Sequence, residues 1–131
     1  NILNNNIILY GESLGTAVAI HTAQSKNFSG IILEAPFTSM VDLGQKYYPF
    51  FPVKFLLKDK YESKKKLNRI NSPVLVMHGK KDKIVPFYMG KQIFEILPSP
   101  KFSYFNEQDD HMMEYNQDLI DSIKNFIDQL S

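Results

Sequence analysis

Ser13 stands between two glycines, in Gly11-Glu12-Ser13-Leu14-Gly15, directly after the β-branched and aromatic run of residues 7–10. A serine hydroxyl is a weak nucleophile until a base removes its proton. A sharp strand-to-helix turn serves that chemistry. It aims the hydroxyl out of the sheet, leaves no room for a Cβ at the flanking positions, and brings the free N–H groups of the following helix to the place where an oxyanion would form. Gly11, Ser13 and Gly15 fit that geometry. The bland alternative is a glycine-rich turn with an incidental serine.

Such a nucleophile needs an acid and then a histidine further along the chain. There are three histidines. His21 falls in the apolar stretch after the turn and reads as a helix-face or packing residue. His78 closes an apolar run just before Gly79 and reads as structural. His111 lies in the polar segment NEQDDHMM, residues 106–113. Loops at the C-terminal ends of parallel strands hold the sites of α/β sheets, so His111 is the candidate base. The acid belongs in the loop after the preceding strand, where MHGKKDKIVP, residues 77–86, supplies Asp82. Taken alone, Asp82 has a surface turn residue as its lesser reading. Asp109 and Asp110 adjoin the histidine, but adjacency does not give the side-on approach that an orienting acid requires. They are the weaker candidates, and could instead raise the basicity of the imidazole.

These residues need elements to position them. The run at 7–10 reads as a buried strand. Residues 14–24, with Ala17, Val18, Ala19, Ile20 and Ala23, read as a helix packed tightly on a sheet. GIILE at 30–34, SPVLVMH at 72–78 and FSYF at 102–105 read as further strands, the third covered on both faces. Residues 87–97 and 118–130 read as amphipathic helices, the latter with Ile120, Ile123, Phe126, Ile127 and Leu130 at helical spacing. Alternating strands and helices imply parallel pairing and right-handed crossovers, an α/β fold. Residues 36–71 are too long for a plain crossover and read as a small helical insertion within a single domain over 1–131.

Composition narrows the partners. The chain has 131 residues, 44% hydrophobic and 22% charged, as in a globular domain. A net charge of +1 gives no field that calls for nucleic acid. The absence of cysteine excludes disulfides, Cys-ligated metal and a Cys nucleophile. No apolar stretch approaches the ~20 residues of a membrane span, and the opening NILNNN carries no signal-like pattern. The expected compartment is the cytoplasm. The opening also lacks an initiator Met, which suggests a piece of something longer.

With these motifs in place the chain resembles the α/β-hydrolase superfamily, and within it the Bem46-like and ABHD-type serine hydrolases. YGESLGTAVAI resembles their nucleophile turn and helix, GIILEAPFTSM their next strand and Phe-Thr-Ser turn, INSPVLVMHGKKDKIVPF the strand and loop of the acid, and DDHMMEYN the histidine loop. The resemblance implies Ser13 as nucleophile, Asp82 as orienting acid, His111 as general base and the backbone N–H of Leu14 as one oxyanion donor. It implies acyl transfer on a small-molecule ester, thioester or related substrate, with no cofactor and no metal; a serine peptidase is the alternative enzyme. Two departures stand out. Asp109 and Asp110 occupy positions where the family has glycine, and the strands that precede the nucleophile in the family, with the loop giving the second oxyanion donor, are not in this sequence. The first strand is then expected to form a bare edge. That edge suits pairing into a homo-oligomer or the context of a longer hydrolase, and a catalytically silent fragment or dimerising module is the non-enzymatic alternative.

The resemblance also implies that 1–131 is a single partial domain and that 36–71 is a lid-like insertion within it, where Tyr47, Tyr48, Pro49, Phe50, Phe51 and Pro52 form an aromatic cluster, either an apolar wall for an acyl chain or packing under a short helix. Lys58, Lys60, Lys64, Lys65, Lys66 and Arg69 read as a solvated helix face, with contact to anionic lipid as the lesser alternative.

Overall fold

The computed structural model describes residues 6–50, 52–56, 60–98 and 100–130. Its centre is a four-stranded parallel sheet in the order β1 (Ile8–Glu12), β2 (Gly30–Glu34), β3 (Val74–Gly79) and β4 (Lys101–Asn106). Parallel pairing requires crossovers, and helices supply two of them: α1 (Leu14–Ala23) between β1 and β2, and α4 (Phe87–Ile96) between β3 and β4. The crossover from β2 to β3 is the long segment, which holds α2 (Met40–Tyr47), α3 (Val53–Leu56) and the 3₁₀ turn Ser63–Arg69. Helix α5 (Gln117–Asp128) closes the fold. The four expected strands and the three expected helices are all present. β1 runs two residues further than its apolar run, because Gly11 and Glu12 still pair with Leu33 and Glu34.

Alternation along the inner strands divides the core. Ile31, Leu33, Val74 and Val76 face α1, α4 and the 3₁₀ turn, packing with Ile20, Leu67, Ile70 and Ile93. Ile32, Leu75 and Met77 face the other way, onto Leu119 and Phe126 of α5. This is period-2 side-chain alternation in strands buried on both faces. The stripe of α5 and the residues just after it that meets the sheet is Leu119, Ile123, Phe126 and Leu130, with Leu119 and Phe126 fully buried. Ile120 and Ile127, expected on that stripe, lie outside it and are 41% and 43% exposed. The i, i+4, i+7, i+11 row starting at Leu119 carries the contact, and its two flanking isoleucines fall on the rim.

β1 and β4 pair on one side only among the described residues. Beside the β1 edge, Leu14 and Val18 of α1 are exposed, so the apolar face of α1 is only half covered. In the insertion, Ser39 caps α2 by accepting the Asp42 N–H at 2.9 Å. Two backbone bonds, Met40 N to Lys60 O and Lys64 N to Thr38 O, tie the 3₁₀ turn to the start of α2. Lys64, Lys65 and Arg69 are exposed on that turn, in keeping with a solvated basic face; Lys58 lies outside the described residues. No helix among the described residues is long and apolar enough to cross a membrane.

Candidate active site

Ser13 sits at the sheet's C-terminal edge, in the single residue between β1 and α1. Its backbone has φ 51° and ψ −114°, a left-handed conformation that non-glycine residues rarely adopt. Three hydrogen bonds hold the turn there: Ser13 N–H to Glu34 O at 2.8 Å, and Thr16 N–H and Thr16 Oγ1 to Ser13 O at 3.0 and 2.5 Å. Gly11 must be glycine, because a Cβ there would stand 2.5 Å from the Gly15 carbonyl oxygen and 2.9 Å from Thr16 Cα. Gly15 differs from expectation. A Cβ on it would meet nothing within 4 Å, since it points to the uncovered side of α1. Leu14 heads α1, so its N–H belongs to the first turn, which no intrahelical carbonyl serves.

Asp82 and His111 come together from the loops after β3 and β4. His111 Nδ1 lies 2.8 Å from Asp82 Oδ2, and the Asp82 side chain is wholly buried. The other carboxylate oxygen, Oδ1, accepts the Ile84 and Val85 N–H groups at 2.9 and 2.8 Å. His78 Nε2 approaches Oδ2 at 3.2 Å and also reaches the Val85 carbonyl at 2.8 Å. Burial opposes ionisation of Asp82, but the bonds from His78, His111 and the two amides outweigh it and draw the carboxyl down to about 2. An ionised acceptor at Asp82 places the ring hydrogen of His111 on Nδ1 and leaves the Nε2 lone pair free. Asp110 Oδ1 accepts the Met112 N–H, and neither Asp109 nor Asp110 bonds the imidazole. His21 is on the surface, 3.3 Å from Lys66 Nζ.

Ser13 and His111 share this edge, but no hydrogen bond joins the Ser13 hydroxyl to the imidazole among the described residues. Glu34 bridges their two segments: its backbone carbonyl accepts the Ser13 N–H, and its side chain meets Tyr115, four residues beyond His111. That buried carboxylate, at the end of β2, accepts the Tyr10 and Tyr115 hydroxyls at 2.6 and 2.5 Å. The sequence reading missed this group and the second histidine on Asp82. The available signal was a charged residue closing the otherwise apolar strand GIILE, which calls for a partner once buried.

A cleft of about 380 Å³ opens beside His111, lined by Lys81, Lys83, Ile84, Gln108, Asp110 and Met112. The Tyr47 hydroxyl donates to the Lys83 and Ile84 carbonyls, which joins the insertion to the Asp82 loop at this cleft. Tyr47, Tyr48 and Phe50 are exposed, so core packing does not account for them; Phe51 lies outside the described residues.

A serine raised on a strand–turn–helix at the C-terminal edge of a parallel sheet, with an aspartate–histidine pair on later loops, defines an α/β-hydrolase fold. The model of the prolyl oligopeptidase family matches residues 2–129, and the chain belongs to that family of the α/β-hydrolase superfamily. Human alpha/beta hydrolase domain-containing protein 17B is 29% identical over 129 residues, covering 95% of this chain and 42% of the human protein. An uncharacterized protein of Mycobacterium tuberculosis is 37% identical over 95 residues, covering 72% of this chain and 34% of its own length. Among solved structures, the Paleococcus ferrophilus monoacylglycerol lipase superposes with a TM-score of 0.68 at 20% identity, over 95% of this chain and 69% of the lipase. The chain thus spans 34% to 42% of the length of the human and mycobacterial relatives.

Proposed function

We propose that the protein is a serine hydrolase that cleaves an ester, thioester or related acyl bond through an acyl-enzyme on Ser13. The observation that carries this reading is the 2.8 Å bond from His111 Nδ1 to Asp82 Oδ2, which fixes the tautomer whose Nε2 can act as a base. Ser13 attacks the carbonyl as His111 takes its proton; the Leu14 N–H donates to the oxyanion; His111 protonates the leaving group; and water, activated by the same imidazole, releases the acyl group. The Ser13–His111 hydrogen bond is one that closes on substrate, since catalytic bonds are often long without it. The cleft beside His111, with Ile84 and Met112 on its wall and Tyr47 at its edge, suits an apolar acyl group.

Labelling by a fluorophosphonate probe tests the reading. The parent should take the label and Ser13→Ala should not; an unlabelled parent ends it. A p-nitrophenyl ester series of increasing chain length then sizes the acyl pocket. The family match favours one second reading, a peptide amide as the bond cleaved. Release of p-nitroaniline from short peptide anilides, faster than hydrolysis of any ester of the series, would select it. A silent, edge-pairing module is the remaining alternative. The one-sided β1 edge supports it, and a dimer by light scattering from a parent that takes no label would establish it.

A further inference from the structure

We infer that Glu34, with Tyr10 and Tyr115, is a positioning clamp that holds the histidine loop in register with the serine turn. The inference rests on the serine-hydrolase reading of Ser13, Asp82 and His111. Glu34 touches both sides of that site at once. Its backbone carbonyl receives the Ser13 N–H at 2.8 Å. Its Oε1 receives the Tyr115 hydroxyl at 2.5 Å and the Tyr10 hydroxyl at 2.6 Å, and the two phenol oxygens are 2.9 Å apart. Tyr10 lies in β1, three residues before Ser13, whereas Tyr115 lies four residues beyond His111 and directly before Asn116, the cap of α5.

The near end of the same loop is fixed by other groups. Asn106 Oδ1 accepts the Gln108 and Asp109 N–H groups, and the Asp109 carbonyl accepts the Lys81 N–H. Between Asp109 and Asn116, Met113 packs into the core with Ile32, Leu75 and Met77, and Tyr115 supplies the hydrogen bond that ties the loop to β2. No ion pair involves Glu34 among the described residues, so the two phenols are the donors that stabilise its buried carboxylate. Burial foremost, and then the bond to Glu34, raise both phenols above their ordinary range, so both remain protonated donors at any pH at which the protein works. Displacing a base by 1 Å can cost as much as ~10²-fold in rate, so a tether four residues from His111 bears on turnover as well as on fold.

Tyr115→Phe removes one hydroxyl from a half-exposed side chain and is the decisive variant; Glu34→Gln and Tyr10→Phe accompany it. In the full chain, Tyr115→Phe should lower kcat on a p-nitrophenyl ester, and the fluorophosphonate labelling rate, by about tenfold with KM unchanged. Amide exchange over residues 107–116 should rise by a similar factor while that of β2 and β3 stays as in the parent. Glu34→Gln should reproduce the kcat loss, and Tyr10→Phe should show a smaller one. Unchanged kcat, or unchanged exchange in the loop, overturns the clamp while leaving the serine-hydrolase reading intact. If the parent takes no label, that reading fails separately. The clamp is then decided by loop exchange and by the His111 ring resonances: sharp and unshifted in Tyr115→Phe, they overturn it; shifted or broadened, they support it.

Discussion

His78 Nε2 stands 3.2 Å from Asp82 Oδ2, and both side chains are completely buried. The Val85 carbonyl, 2.8 Å from the same nitrogen, can only accept, so Nε2 carries a hydrogen that Asp82 shares. Among the described residues His78 Nδ1 has no hydrogen-bond partner, and a Cβ on Gly90 would run into it. His78 is therefore a fixed donor beneath the acid, held in place by the missing side chain at position 90. Gly90→Ala should push the ring away from Asp82 and destabilise the protein by about 2 kcal/mol, and His78→Ala should cost about 3 kcal/mol through a lost donor and a cavity. Urea denaturation measures both; a Gly90→Ala midpoint equal to the parent's would show that the ring has room to move.

The depressed carboxyl of Asp82 makes a pH prediction. Its folded value is about 2, against 3.8 for an ordinary aspartate. The unfolded chain therefore binds the proton more tightly. The stabilisation is fully present above about pH 4 and is lost as pH falls through 2, with a magnitude of about 2 kcal/mol. Melting temperature measured between pH 5 and 2 should fall more steeply in the parent than in Asp82→Asn. Parallel curves would mean that the carboxylate gains nothing from its four donors.

The two glycines of the serine turn should behave differently. Gly11→Ala forces a Cβ against the backbone of Gly15 and Thr16, neither of which can yield without breaking the turn. A loss of about 2–3 kcal/mol and a strong fall in probe labelling are expected. Gly15→Ala projects into open space within α1 and should be neutral or gain up to ~1 kcal/mol from helix propensity. Thermal unfolding of the two variants side by side checks the contrast.

The strands and the site loops were legible in the sequence because their signals are local. Apolar runs with a glycine at one end marked β1, β2 and β3, and the positions of Asp82 and His111 after successive strands placed both at one edge of the sheet. Glu34, Tyr10 and Tyr115 were not legible as a group. Their contact joins residues 24, 81 and 105 positions apart, and no spacing rule links a strand's last residue to a loop that far along the chain. The role of Gly15 was misjudged for a similar reason. Whether a Cβ fits is decided by what packs beside α1, and that neighbour is not specified by the turn motif. On α5 the 3.6-residue period located the helix, but the choice between Leu119 and Ile120 for the buried stripe depended on where β3 and β4 lay beneath it.

Asp82→Asn tests whether the acid that orients His111 is Asp82 or one of the aspartates of the histidine loop. The substitution keeps the shape of the side chain and replaces one acceptor oxygen with an NH₂ donor. The Ile84 and Val85 amides both donate to Oδ1, so the remaining amide oxygen is held there and the NH₂ takes the place of Oδ2, facing His111. The imidazole must then accept at Nδ1 and carry its hydrogen on Nε2, where the serine proton should go. A base in that tautomer cannot act, and the labelling rate of Ser13 should fall by roughly 10³–10⁴-fold with the fold intact at neutral pH. Asp110→Ala removes only an acceptor for the Met112 amide and should change the rate by less than about threefold. Equal losses in the two variants would reassign the acid to the histidine loop itself, whereas the contrast expected here places it on the loop after β3.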